Sequence, residues 1–299
     1  LLACILAIIS LGVFAQEKPK QITLFTNVQV FDGTSDKLIK ADVLVEGNLI
    51  KQISKEPLMV VQSDNVSIID GGGNTLLPGL IEAHGHIMFA SDLPKLLNQD
   101  EFEQGVCAAR RANDYLMHGF TTIRDCGGNT FGVKRAIDQD IISGPRIYPS
   151  GAAIGQTSGH GDFRSHVDGH PYYDGVDNGG VVNKWKHTLI ADGTDEVRRA
   201  VRDQLFRGAS QIKLHTGGGV TSFTDPLQAA QYTPEEIKAA VEEASRYGTY
   251  VMTHSQMNNS VIASLDAGVK SIEHGLVLEE STVKRMAELG VFYSPQLFL

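Results

Sequence analysis

The sequence is poor in cysteine and has no excess of basic residues, and each shortage excludes a class of protein. Its 299 residues include three cysteines without a Cys-x-x-Cys spacing, so a disulfide framework is excluded and the cysteines are predicted to be structural thiols. Lys and Arg number 26 against 35 Asp and Glu, which gives a net charge of −9. No basic arm or basic patch interleaved with aromatic residues is present, so the sequence argues against nucleic-acid binding.

A hydrophobic run long enough to cross a bilayer is also missing. Residues 1–15 are almost wholly apolar and uncharged but too short to span a membrane comfortably, and they end in small residues. We interpret them as the remnant of a signal peptide, which predicts export to the periplasm or secretion without stable membrane insertion after cleavage. The alternative is a lipoprotein anchor at Cys4.

What the sequence does contain is the composition of a globular protein, with 42% hydrophobic and 20% charged residues. Residues 16–75 show short β-rich stretches separated by turn signals such as Asp32-Gly33 and Gly47-Asn48. This pattern predicts a small, incomplete β-sandwich module at the N-terminus. Residues 151–193 form a long insertion with little periodicity, of the kind that is often functional.

Residues 76–299 alternate between strand and helix patterns, which predicts an α/β fold with a parallel sheet. We predict helix N-caps at Asp100, Gly193 and Thr233. The predicted strands are 76–87, 121–125, 146–150, 211–215, 249–254, 271–274 and 291–294. Polar residues end five of them, and only in a (β/α)8 TIM-type barrel would those ends converge on one site. We therefore expect a barrel that lacks its last strand here, in a reading frame that continues for roughly 100 residues.

His84-Gly85-His86 ends the first predicted barrel strand. Residues i and i+2 of a strand point to the same face, so the two imidazoles are predicted to converge. Convergent neutral imidazoles are typical of a divalent metal site.

Three further residues sit at the ends of later strands. Lys213 lies in a buried strand, where a lysine is unfavourable unless it is paired or neutralised, and reaction with CO₂ is one way to neutralise it. His254 and His274 each close a short apolar strand, twenty residues apart. A buried structural histidine explains either one alone, but all five residues together favour a metal centre.

The motifs that contain these residues resemble the amidohydrolase superfamily and, within it, the imidazolonepropionase-like branch that includes Xaa-Pro dipeptidases. The resemblance runs from about Gln21 to the C-terminus. It implies two Zn²⁺ ions bridged by carboxylated Lys213. His84 and His86 would bind one ion, and His254 and His274 the other.

Other residues are candidates for binding the substrate or for supporting the metal ligands. The loop containing His160 resembles a family loop that reaches the substrate, and Tyr232 is a candidate for the substrate carboxylate. His215 shares a strand face with Lys213 and is predicted to support the ligands from behind. Asp125 is predicted to do the same in a pair with Arg124. The resemblance implies a catalytic aspartate on an eighth strand, and neither Asp125 nor Asp162 matches its place.

These observations predict a binuclear hydrolase of C–N bonds, acting on a dipeptide or another small molecule as a dipeptidase or carboxypeptidase of the Xaa-Pro type. The alternatives are a cyclic-amide hydrolase and, should the chain end at Leu299, a non-catalytic protein. A deaminase is disfavoured, because deaminases of this superfamily usually need no bridging lysine. The sequence leaves the oligomeric state open and is compatible with a homo-oligomer.

Overall fold

The computed structural model describes residues 20–175, 180–220 and 225–296. The contacts between residues divide the chain into two compact units, with the boundary between Pro78 and Gly79. The boundary predicted from the sequence lies between residues 75 and 76. The apolar segment 1–15 lies outside the described residues, so its role as a signal peptide stays a prediction. Within the described part, no helix combines the length and hydropathy that a bilayer crossing requires.

The first unit contains a mixed β-sheet. Its strands are β1 (Ile22–Val30), β2 (Ile39–Glu46), β3 (Leu49–Ser54), β4 (Val66–Asp70) and β5 (Thr75–Leu76). The order is β3-β2-β1-β4, with β5 also paired to β1. Val28, Val30, Ala41 and Val43 form its buried cluster. Among the described residues the strands belong to one sheet, so a second sandwich layer stays a prediction.

The second unit is α/β, and its strands pair in parallel. They are β6 (Leu80–Gly85), β7 (Phe120–Asp125), β8 (Arg146–Pro149), β9 (Ala153–Gly155), β10 (Thr188–Ile190), β11 (Ile212–His215), β12 (Val251–Met257), β13 (Ser271–Val277) and β14 (Phe292–Ser294). Their order is β6-β7-β8 in one sheet and β10-β9-β11-β12-β13-β14 in the other. Neighbouring strands within each sheet follow in chain order, except that β9 lies between β10 and β11. A closed (β/α)8 barrel stays a prediction.

Helices alternate with these strands. They are α1 (Leu93–Leu96), α2 (Glu101–Met117), α3 (Phe131–Asp138), α4 (Pro171–Asp174), α5 (Gly180–Lys184), α6 (Gly193–Phe206), α7 (Pro234–Arg246), α8 (Asn258–Asp266) and α9 (Glu280–Glu288). The larger buried cluster packs the apolar faces of α6, α7 and α8 onto the central strands. This packing fixes the strands whose ends form the site.

Two local expectations are corrected. The N-cap before α6 is Asp192, while Gly193 is already the first helical residue. The stretch from 151 to 193 contains β9, β10, α4 and α5, so it is not one irregular insertion. Each of these elements has only three to five residues, which is too short to show a periodic pattern.

The start of α7 gives a direct test of local stability. Thr233 and Glu236 form a capping box, in which each side chain accepts a hydrogen bond from the other residue's backbone N–H. We expect Thr233→Ala to lower the free energy of unfolding by about 1 kcal/mol in denaturant titrations, because the Glu236 N–H loses its side-chain acceptor, the Thr233 hydroxyl. Thr233→Ser, which keeps the hydroxyl, should stay within about 0.5 kcal/mol of the wild type. Equal losses in both variants would contradict the capping role.

Candidate metal centre

The site begins at the end of β6, where His84 and His86 flank Gly85. Both imidazoles face the same cavity, with ring centroids 5.1 Å apart. Gly85 faces the other way, and a Cβ there would lie 2.8 Å from the Ile123 methyl group. The glycine therefore lets β6 pack closely on β7 while both histidines point inward.

At β13 the strand departs from its regular alternation. Glu273 and His274 are consecutive, yet Glu273 contacts His84 and His274 lines the same cavity as His84. His274 has φ +74°, an unusual value for a residue with a side chain. This backbone turn brings both side chains inward, a strained conformation of the kind that is concentrated at functional sites.

The neighbouring strands β11 and β12 supply the remaining wall. Lys213 and His215 both lie on the inner face of β11. His215 is in register with His254 of β12. All three are buried. His254 Nε2 lies 3.1 Å from the Gly218 carbonyl oxygen.

The four strand ends enclose a cavity of about 410 Å³. Its imidazoles form a continuous series: the His84 and His274 centroids are 4.9 Å apart, and those of His274 and His254 are 4.4 Å apart. Its described lining is His84, His86, Phe89, Arg111, Tyr115, His160, Phe163, Thr188, Lys213, His215, Val220, His254, Gln256, His274 and Gln296. The five ligands predicted from sequence thus all line one cavity.

His160 lies over this series from the loop after β9. Its ring stacks on His254 at 4.0 Å between centroids and 19° between planes. Its backbone N–H donates to Gln231 Oε1. A Cβ on Gly219 would overlap the His160 ring, so this glycine makes room for the stack. The predicted substrate residue therefore stands in the cavity wall.

Burial controls the charge of these rings. It lowers the pKa of His86 to about 3 and that of His274 to about 2, with nearby Lys213 adding to the effect. Burial likewise lowers the pKa values of His84, His215 and His254 well below the ordinary value. At neutral pH the rings are therefore neutral and keep a lone pair, the form that binds metals.

The donor set fits divalent cations on a further observation. The Nδ1 atoms of His86, His160, His215 and His274 are buried without a hydrogen-bond partner among the described residues. Buried polar atoms are normally satisfied, and several orphans on one cavity call for a ligand. Imidazole nitrogens of this kind suit Zn²⁺ and similar ions.

Lys213 lies in this cavity with only 1% of its surface exposed. In the described part of the chain, no carboxylate lies within ion-pair distance of its Nζ, and burial lowers its pKa. Burial therefore favours the neutral amine. A neutral amine is also the form that reacts with CO₂.

Comparison with known proteins identifies the fold family. Residues 75–298 match the amidohydrolase family. The chain belongs to the amidohydrolase family. This agrees with the resemblance noted in its sequence motifs.

Individual relatives of this amidohydrolase agree with the family assignment. Aspergillus niger ochratoxinase is 33% identical over 297 residues, covering 94% of this chain and 60% of the relative. Its crystal structure has a TM-score of 0.75, at 30% identity over 93% of this chain and 66% of that one. The amidohydrolase chain thus spans about 60% of the length of this curated relative.

Two dipeptidase structures are also similar. A prolidase in complex with N-methylphosphonate-L-proline has a TM-score of 0.82 and 34% identity, covering 93% of this chain and 66% of that chain. A Xaa-Pro dipeptidase with bound methionine has a TM-score of 0.78 and 30% identity, covering 92% and 66%.

Tyr232 does not behave as the sequence predicted for this amidohydrolase. It is 8% exposed, belongs to the main hydrophobic cluster, and its hydroxyl donates to the Ala191 carbonyl oxygen at 2.8 Å. It is not among the described residues that line the cavity. The expected substrate contact is therefore wrong, because burying the ring against the core takes the side chain away from the site.

The structure corrects the predicted pairing of Asp125 and shows the partner of Asp162. Asp125 does not pair with Arg124, since neighbours on a strand point to opposite faces. Its carboxylate accepts from the Ile87 N–H at 2.9 Å and the Thr130 hydroxyl at 2.7 Å, so it holds the backbone just after His86. Asp162 forms a two-pronged ion pair with Arg164, which lies on its own loop.

Sequence reasoning missed Glu273, which is completely buried and touches His84. Ligand-type atoms of His84, Cys126 and Glu273 lie within 4.8 Å of one another. The available signal was the pattern Ser271-x-Glu273, which places two polar side chains on the inner face of a buried strand. Its partner Arg124 lies 149 positions away in the sequence, where no pattern reveals the contact.

Asp125 gives a pH-dependent prediction. Burial raises its pKa from 3.8 to about 7, so its contribution to stability is complete below pH 3.8 and is lost as the pH rises through about 7. Asp125→Asn removes this titration. The free energy of unfolding of the wild type relative to D125N should therefore fall between pH 4 and pH 8, by at most about 4 kcal/mol.

Urea titrations of both proteins in chelator, which removes any effect of metal loss, measure this difference. Asp138→Asn is the control, because Asp138 makes an exposed pair with Lys134 and should change stability by at most about 1 kcal/mol. A difference between wild type and D125N that is constant with pH would contradict the buried titration.

Proposed function

We propose that this protein is a metal-dependent hydrolase of amide bonds. The observation that carries the proposal is the cavity itself, in which neutral imidazoles from β6, β12 and β13 surround the amine of Lys213, for which the described residues provide no ion pair. An unpaired buried lysine would be a defect in a purely structural core. It is useful where the lysine becomes an anionic ligand between two cations.

In this proposal His84 and His86 would hold one Zn²⁺, and His254 and His274 would hold the other. The neutral Lys213 Nζ attacks CO₂, a C–N bond forms, and the amine proton leaves to solvent, which gives a carbamate. The carbamate would supply the anionic ligand that the two cations require. His215, two residues along the same strand face, supports this arrangement from the cavity wall.

Two bound cations would activate a water at neutral pH and polarise the scissile carbonyl. The chain's own residues do the rest. His160 stacks over His254, where a ring N–H can donate to the substrate carbonyl oxygen. Phe89 and Phe163 supply apolar walls that limit water around the reacting bond.

The substrate class follows from the cavity and the relatives. We propose small amides, with Xaa-Pro dipeptides first, because two similar structures are named as a prolidase and a Xaa-Pro dipeptidase. The aromatic walls suit an apolar group on either side of the bond.

A hydrolysis screen of the zinc-loaded full-length protein tests the substrate proposal. The panel contains Xaa-Pro dipeptides, dipeptides with other C-terminal residues, aromatic N-acyl amino acids and cyclic amides. We expect the Xaa-Pro dipeptides to release free amino acids, which chromatography would detect. Turnover confined to the cyclic amides would instead favour the cyclic-amide alternative, and no turnover on any member would contradict amide hydrolysis.

Metal content tests the centre directly. Elemental analysis of the purified full-length protein should give close to two Zn per chain, and Lys213→Ala should lose at least one because no bridging oxygen remains. Lys238→Ala, on the exposed face of α7, is the matched control and should keep both ions. An unchanged stoichiometry in K213A would show that the lysine is not a ligand.

A further inference from the structure

Glu273 occupies a position where Arg124, Ser271 and His84 can all donate hydrogen bonds to it. The side chain is fully buried. The Arg124 guanidinium donates to both carboxylate oxygens at 2.8 Å, and the Ser271 hydroxyl donates to Oε1 at 2.6 Å. A buried carboxylate with this set of donors is a fixed acceptor.

The remaining contact of Glu273 is with His84. Its Oε2 lies 2.5 Å from His84 Nδ1. Since the carboxylate accepts, Nδ1 carries the hydrogen of the ring. The other nitrogen, Nε2, then keeps its lone pair on the opposite side of the ring, where the cavity lies.

Arg124 fixes this arrangement from two directions. Its Nε donates to the carbonyl oxygen of Ala83 at 2.6 Å, directly before His84, while its NH2 holds Glu273. A single guanidinium on β7 thus ties the backbone of β6 to the carboxylate of β13. The rigid fork of arginine suits this double contact.

The group formed by His84, Cys126 and Glu273 is better explained as support than as a metal site. Both oxygens of Glu273 already accept hydrogen bonds from Arg124, Ser271 and His84. The Cys126 thiol lies 3.5 Å from the Arg124 carbonyl oxygen, to which it can donate. A cation there would have to displace these donors.

We propose that Glu273, held by Arg124, is a positioning residue that sets the tautomer of His84 and aims its Nε2 at the cavity. The proposal rests on the proposed function, because the ring that it positions is one of the proposed metal ligands. Removal of a carboxylate that accepts a hydrogen bond from a metal-binding histidine typically lowers metal affinity 10- to 100-fold.

The tautomer can be read without metal. Long-range ¹H–¹⁵N NMR of the metal-free full-length protein, with His84 assigned through the loss of its signals in His84→Gln, distinguishes Nδ1–H from Nε2–H. We expect Nδ1–H in the wild type. In Glu273→Gln the amide NH₂ can face the ring, because the amide oxygen stays with Arg124, so the proton should move to Nε2.

Zinc affinity provides the second readout. Competition with a chromophoric chelator should show one of the two zinc sites weakened by 10- to 100-fold in E273Q. Glu243→Gln is the matched control. Glu243 is also a buried carboxylate paired with arginine, but its partners are Arg202 of α6 and Arg246 of α7. Its zinc affinity should equal that of the wild type.

Should E273Q fail to fold, Arg124→Lys keeps the charge but loses the fork, and a 10-fold or greater loss of affinity is expected there too. An Nε2–H tautomer in the wild type would overturn the proposal, as would E273Q with unchanged tautomer and affinity. A cobalt-substituted protein with a thiolate charge-transfer band that Cys126→Ser abolishes would also overturn it. A wild type that binds no zinc refutes the proposed function, while the tautomer still decides the role of Glu273.

Discussion

The burial of Lys213, which forms no direct ion pair among the described residues, is the constraint on which the site depends. Among the described residues, its amine has neutral imidazoles around it and no carboxylate within ion-pair distance. Burial disfavours an ammonium group and lowers the pKa of the Lys213 amine. The same burial removes the charge from the histidines. One physical effect therefore prepares both the lysine and the imidazoles for binding cations.

The geometry of the parallel strands brings these groups together, and two departures from regular geometry complete the arrangement. Gly85 allows His84 and His86 to face inward while β6 stays close to β7. The positive φ of His274 turns this residue into the cavity beside Glu273. Packing of helices α6, α7 and α8 on the strands supplies the stability that holds this strained residue in place.

Patterns within one strand could be predicted from the sequence, whereas contacts between distant strands could not. The i, i+2 spacing and the strand ends led to the residues His84, His86, Lys213, His254 and His274, all of which line the cavity. Tyr232 was misplaced, because nothing in a loop sequence reveals that an aromatic ring packs into the core. The Arg124–Glu273 contact was missed for a related reason, since it joins β7 to β13. Elements such as β9 and α5 were missed because three to five residues cover too few repeats of the strand or helix period to form a pattern.

Carbamylation of Lys213 is tested most directly by ¹³C NMR. The zinc-reconstituted full-length protein, equilibrated with ¹³C-bicarbonate, should show one carbamate resonance per chain. That resonance should be absent from K213A treated in the same way. Two tightly bound zinc ions without any carbamate resonance would contradict the account, because Lys213 would then have to be explained without a bridging role.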